Sequence, residues 1–244
     1  MSCSSWEDVE SQGSYRYSVY ELLRRVFLWK FPLELFMEMV RTADAEKRST
    51  EVDGAAELAF KECLVSLADS DLATAYRDIH IEYTRLFVGP HHLPAPPYES
   101  VYRSPDRLLM QDETMSVRAA YAQSGFRVAR NYHVPDDSVG IEFEFMCALS
   151  MATNDAVSVR DCGKALMLIA AQQEFCNDQL AKWIPQFCAD IEENSSLKFW
   201  RGVAAFTNEF IQAESDALIA LRRDLEELSG SSESAKSQGE SAEP

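Results

Sequence analysis

The sequence predicts an all-α protein, a compact multi-helix bundle, on three observations. Apolar residues recur at three- and four-residue steps through most of the chain, which gathers them on one stripe of each successive helix. No two alternating apolar runs face each other across a short turn, so no hairpin is indicated. Glycine is sparse, nine in 244 residues, where a β-rich chain would need many turn residues.

The elements follow in order. Tyr15, Val19, Leu22, Leu23, Val26 and Phe27 mark a first amphipathic helix. Pro32 opens a second, carrying Leu33, Phe36, Met37 and Val40, since proline is tolerated where a helix starts. Ala55 to Leu67 forms a third, with Leu58, Ala59, Cys63 and Leu67 on one face. Leu72, Ala75, Tyr76, Ile79, Tyr83, Leu86 and Phe87 mark a fourth, which Gly89-Pro90 should stop, glycine taking a left-handed cap and proline donating no hydrogen bond. Ser104-Pro105-Asp106 reads as an N-cap, first-turn proline and acid, opening a helical region that ends near Gly125.

Arg127 to Val134 is a connector, after which Asp136 or Asp137 can cap the next helix. Ile141 to Phe145 alternates like a strand, but Val139, Phe143, Met146 and Leu149 keep helical spacing, so a helix is predicted. Leu166, Ile169, Ala170, Cys176, Leu180, Trp183 and Ile184 mark another long helix, and Phe199 to Leu228 the last. The predicted organisation is a flexible N-terminus at 1–13, a helical domain at 14–228 and a disordered acidic tail at 229–244, which has nothing to bury. A hinge in the connector would divide the domain into lobes at about 14–126 and 135–228, and lobes can exchange between protomers. Monomer and lobe-exchanged homodimer both stay open.

Composition narrows the function. The formal charge of −17 disfavours nucleic acid, whose phosphates need Lys and Arg, and suits a basic partner. The first residues hold acids and no apolar core of a signal peptide, and the longest apolar run, Ala165 to Ala171, is too short to span a bilayer. A cytoplasmic protein without stable membrane insertion is expected. The six cysteines contain no Cys-x-x-Cys pair and read as small hydrophobes within helical patterns. None of the four histidines, His80, His91, His92 and His133, follows an acid by three positions, so the Glu-x-x-His spacing of helical metal sites is missing. Phosphate-binding and hydrolase motifs are also missing. Glu142 and Glu144, two apart, point different ways on a helix and read as a solvated or capping face. No cofactor, metal or catalytic residue is expected.

The run from Tyr83 to Tyr102 stands apart. Pro94, Pro96 and Pro97 stiffen a loop that carries Leu93, Tyr98, Val101 and Tyr102, so these side chains are held at low entropic cost. Such a loop either binds another molecule or packs down on its own helices. Leu86 and Phe87 can accordingly be groove walls or core.

The stretch Tyr83, Leu86, Phe87, Gly89, Pro90, followed by Pro96, Pro97, Tyr98, Ser100, Val101 and Tyr102, resembles the signature of the TorD/DmsD family of redox-enzyme maturation chaperones. A second family motif, Glu-Pro-x-Asp-His, is met by Val134-Pro135-Asp136-Asp137-Ser138; it keeps the proline and the aspartate but has Val134 and Ser138 in place of Glu and His. The resemblance covers about residues 71–149. It implies an all-helical, non-enzymatic chaperone that binds the twin-arginine leader, the apo form, or both, of a molybdopterin-dependent oxidoreductase catalytic subunit until its cofactor is inserted. The site would then be a leader-peptide groove with Tyr83, Leu86 and Phe87 on one wall, Pro97, Tyr98 and Tyr102 on the other, and Asp137 and Ser138 at the rim. Two other readings are a helical adaptor for an unrelated complex and an enzyme with an unconventional site around His91, His92, Asp136 and Asp137.

Overall fold

The computed structural model describes residues 5–28, 31–47, 54–90, 92–129 and 134–240, with side chains as far as Gly230. Among them the architecture is helical throughout, apart from one isolated antiparallel bridge between Tyr98 and Ser138. The helices are α1 (Trp6–Phe27), α2 (Leu33–Ala45), α3 (Ala55–Ala68), α4 (Leu72–Tyr83), α5 (Glu99–Arg103), α6 (Asp112–Gln123), α7 (Val139–Ser158), α8 (Cys162–Phe175), α9 (Ala181–Asn194) and α10 (Lys198–Glu240). A π-helical turn, Thr84–Val88, extends α4, and another, Cys176–Leu180, joins α8 to α9.

Helix α1 starts at Trp6, so residues 6–13 are its first turns and not part of a flexible end. A reciprocal cap explains the early start: the Asp8 amide donates to Ser5 Oγ at 3.1 Å and the Ser5 amide donates to Asp8 Oδ2 at 2.8 Å. Val9 and Gly13 are already buried there. Helix α3 is capped from a distance, its first amides, Ala55 and Ala56, donating to the Glu209 carboxylate of α10 at 3.1 and 3.0 Å. At the other end α10 runs helically to Glu240, past Leu228 against the core and through residues where disorder is expected.

Two helix boundaries differ from the sequence reading. Ser104 closes α5 instead of opening a helix, and the chain then turns through Arg107 and Met110, both at positive φ (52° and 59°), before α6 begins at Asp112. Gly89 is not left-handed: at φ −33° and ψ 167° it is preceded by the π-helical turn, whose Thr84 carbonyl accepts from the Gly89 amide at 2.8 Å. The Ile141–Phe145 stretch is helical, and both faces are buried, which is why apolar residues alternate with neither a clean strand nor a clean helix period.

The halves interleave. α1 lies along α7, α7 along α8, and α10 packs against both α3 and α9. Aromatic rings fill the centre, with Phe27, Tyr83, Phe187 and Trp200 surrounding Phe87 at centroid distances of 5.9, 5.2, 5.9 and 5.3 Å. A buried polar network ties the long helices together: Arg16 of α1 donates to Glu214 of α10 at 2.5 Å and to Gln172 of α8 at 2.6 Å, and Tyr20 donates to Glu214 at 2.9 Å. No helix of the described residues is long and apolar enough to cross a membrane. The connector 127–134 falls partly outside the described residues, at 130–133, as do Cys3, His91 and His133.

Candidate functional site

The proline loop leaves the π-helical turn after α4, crosses to α5 and is pinned to the segment before α7. Ala95 donates to Leu86 O at 3.3 Å, Val139 donates to Pro97 O at 3.0 Å, and Glu99 donates to Asp137 O at 3.0 Å. The two sequence motifs are therefore neighbours in space. Asp137 does not cap its own helix. Its Oδ2 accepts from the Ser100 amide at 2.9 Å and so caps α5 across the loop, while Ser138 is the N-cap residue of α7 without a side-chain capping bond.

The residues expected to wall a groove are distributed unevenly. Tyr83, Leu86 and Phe87 are core, exposed by only 6%, 0% and 4%, and Asp137 and Ser138 are buried as well. The core alternative holds for Leu86 and Phe87, both buried in the π-helical turn, Phe87 against α1, α9 and α10. Pro97, Tyr98 and Tyr102 are half-buried and reach the surface. Tyr102 stacks on Trp183 at 5.6 Å, donates to Asp190 Oδ2 at 3.1 Å and carries the Arg107 guanidinium 5.4 Å above its ring.

Behind this rim lies a feature that local sequence pattern misses. Glu99, Asp137 and Glu142 are all completely buried, and each has a carboxylate oxygen with no hydrogen-bond partner: Glu99 Oε2, Asp137 Oδ1 and Glu142 Oε1. The hydroxyls of Ser100 and Thr114 are buried and unpartnered too. The remaining oxygens are held, Glu142 Oε2 by the Trp183 indole at 3.1 Å and Glu99 Oε1 by Arg103 at 2.5 Å. Glu142 is thus not a solvated face, since α7 buries both its sides between α1 and α8. Burial pushes the Glu99 carboxyl up to about 7 against the pull of Arg103, with Asp137 and Glu113 adding to the rise. Burial pushes Glu142 well above the usual carboxylate range, helped by Glu99. Glu99 and Arg103, four apart on a helix, are the one signal of this cluster readable in the sequence.

Arg103 separates these acids from a cleft of about 550 Å³ between α6 and α8. The same Arg103 Nη1 donates to Asp178 O and Gln179 Oε1 of the second π-helical turn, each at 3.0 Å, and Gln179 in turn donates to Ser116 Oγ at 2.8 Å. Among the described residues no group of three His, Cys, Asp or Glu side chains is arranged to hold a metal.

Among the described residues the protein is thus a helical bundle whose braced aromatic loop lies over a cluster of buried acids. The profile of the nitrate reductase delta subunit family matches residues 50–189. The chain belongs to that family, the one that takes in the TorD/DmsD-type chaperones. It is similar to the "Chaperone protein TorD" of Aliivibrio salmonicida, 25% identical over 140 residues that make up 57% of this chain and 64% of that protein. The protein of the same name from Vibrio cholerae is 23% identical over 151 residues, 62% of this chain and 67% of the relative, and that of Photobacterium profundum is 24% identical over 145 residues, 59% and 66%. The matched stretch thus spans about two thirds of these relatives' length.

Proposed function

We propose that this protein is a system-specific cytoplasmic chaperone that binds the twin-arginine leader, the apo form, or both, of a molybdopterin-dependent oxidoreductase before cofactor insertion and export. The observation that carries the reading is the family match over residues 50–189, which includes the proline loop and the Asp137 segment. The geometry supports a binding role: proline fixes the loop, and its outer residues Pro97, Tyr98 and Tyr102 stand half-exposed over a core that holds them in place. Tyr83, Leu86, Phe87, Asp137 and Ser138 act from beneath, as the brace that sets loop position. A homodimer formed by exchange of helices remains part of this proposal.

Calorimetric titration with leader peptides of twin-arginine molybdoenzymes tests it. Saturable binding to one leader, weakened modestly by salt, is the expected result, since exposed ion pairs contribute only about 0.2–1 kcal/mol each and apolar burial roughly 1.5–3 kcal/mol per large side chain. Tyr102→Ala should weaken that binding with the helical circular dichroism unchanged. Failure of every leader to bind refutes the leader part of the reading.

A further inference from the structure

Buried acceptors without donors are rare, because each costs the desolvation of its lone pairs. Here there are six, Glu99 Oε2, Asp137 Oδ1, Glu142 Oε1, Glu113 Oε2, Ser100 Oγ and Thr114 Oγ1, and Asp137, Glu113 and Glu142 are gathered near enough to Glu99 to act on it electrostatically. The charged and titratable groups facing this cluster are Arg103 on α5, Asp137 before α7, Glu142 on α7, and Glu113 and Tyr121 on α6. Arg103 is the only cation among them, and it engages one oxygen of Glu99 while its side chain is 31% exposed. Arg103 alone does not supply donors for these oxygens, and its partly exposed side chain stands between them and the cleft. Glu174, Asp178 and Lys182 line the outer cleft. The loop that joins α5, the helix of Arg103, to α6, a wall of the cleft, carries an apolar lip of Leu108, Leu109 and Met110, exposed by 53%, 48% and 68%, and Met167 on the α8 wall of the cleft is exposed by 65%. Methionine suits adaptable apolar contact.

We propose that this cleft receives a leader segment in which one arginine passes Arg103 and places its guanidinium on the unpartnered oxygens of Glu99, Asp137 and Glu142, while the apolar residues after it lie on Leu108, Leu109, Met110 and Met167. The inference rests on the leader-binding reading and gives it a location behind the aromatic loop, at buried acids of which Asp137 belongs to the signature and Glu99 and Glu142 do not. Guanidinium fits because its planar fork of donors serves several carboxylate oxygens at once, which an ammonium does less well. A cation entering beside Glu99 favours its ionised form. Glu99 holds its proton up to about pH 7, so binding releases a proton and tightens as pH rises, by about tenfold between pH 6 and 8 for one such group.

The experiment is titration of the intact protein at pH 6, 7 and 8 with a synthetic peptide carrying adjacent arginines and an apolar run, alongside its lysine counterpart. Expected are tighter binding at pH 8, weaker binding of the lysine peptide, and a loss of roughly tenfold or more at pH 8 in Glu99→Gln with the pH dependence gone. Arg103→Met, which removes the closing cation, should bind more tightly. The surface pair Leu109→Ser with Met110→Ser cannot disturb the core and should weaken binding at every pH. If the unaltered protein binds the peptide equally at all three pH values and neither Glu99→Gln nor the lip pair changes it, the location is wrong while the leader reading stands. If the unaltered protein binds neither peptide at pH 8, both fall.

Discussion

At Gly140 the start of α7 lies against the backbone at the end of α1, and Gly140→Ala tests whether that close approach is obligatory. A methyl group there would stand 2.4 Å from Leu28 Cα, 2.7 Å from Leu28 N and 3.0 Å from Phe27 C. Carbon atoms pack best at about 3.5–4.0 Å, so the end of α1 would have to retreat by roughly 1 Å. The atoms in the way are backbone and cannot rotate aside. The retreat would loosen Phe27 from Phe143 and from Phe87, now at ring distances of 6.1 and 5.9 Å. Overpacking of this kind costs about 1–3 kcal/mol, and rigid backbone puts it at the upper end. Alanine returns up to about 1 kcal/mol through helix propensity, leaving a net loss of about 2 kcal/mol. For a chain of this size that is a fall of about 4–8 °C in Tm, measured by thermal melts followed at 222 nm. Gly163→Ala is the internal control: it lies in α8 with only Asp161 Oδ1 within reach, at 3.8 Å, and should leave Tm unchanged or raise it. A Gly140→Ala melt at or above that of the unaltered protein would refute the packing argument.

Two further outcomes follow from buried charge. Glu214→Ala strands the Arg16 guanidinium, whose side chain is 4% exposed, and should cost about 3–5 kcal/mol in urea melts, whereas Arg16→Met combined with Glu214→Leu should recover most of the loss; a single variant as stable as the parent contradicts this. Stability should also fall with rising pH on account of Glu99. Its carboxyl keeps a proton in the folded chain up to about pH 7 that the unfolded chain sheds near the model-peptide value of 4.5. The contribution is therefore fully present below about 4.5, declines between the two values and is absent above about 7, a change of roughly 3 kcal/mol. Glu142 acts in the same direction, while Glu82 and Asp71, whose values are lowered by hydrogen bonds, act oppositely. The clean readout is the difference between Glu99→Gln and the parent: the variant should gain relative stability from pH 5 to pH 8, and parallel curves would remove Glu99 from the account.

What the sequence disclosed and what it concealed divide along one physical line. Local periodicity exposed the helices, because an amphipathic stripe is a property of neighbours three and four residues apart. It also exposed the brace, since Leu86, Phe87, Pro97 and Tyr98 sit in one continuous run. Ser104-Pro105-Asp106 misled because the same residues serve a turn, which here runs on through positive φ at Arg107 and Met110. The π-helical turns were illegible for a related reason: each shifts the helical register within an apolar stretch whose spacing hardly changes. Glu99 and Glu142 are 43 positions apart and look like surface acids in isolation; only the folding of the proline loop onto α7 buries them together.

That burial has a consequence for how the family signature should be understood in this chain. Residues of the signature that would be groove walls are instead packed among Phe27, Phe187 and Trp200, and their hydrogen bonds hold the loop against the segment before α7. A core that only needed stability would have no use for three buried acids with unpartnered oxygens and one partial counterion, because apolar residues of like volume serve better. With carboxyl values raised by burial, Glu99 and Glu142 contribute less stability as pH rises, and the hydrogen bonds of the signature loop hold the cluster together. The strain is located beside the cleft between α6 and α8 that Arg103 lines, where an incoming cation would relieve it. Binding energy and folding energy are then drawn from the same carboxylates, so a protein variant relaxed by Glu99→Gln should be the more stable one and the poorer receptor.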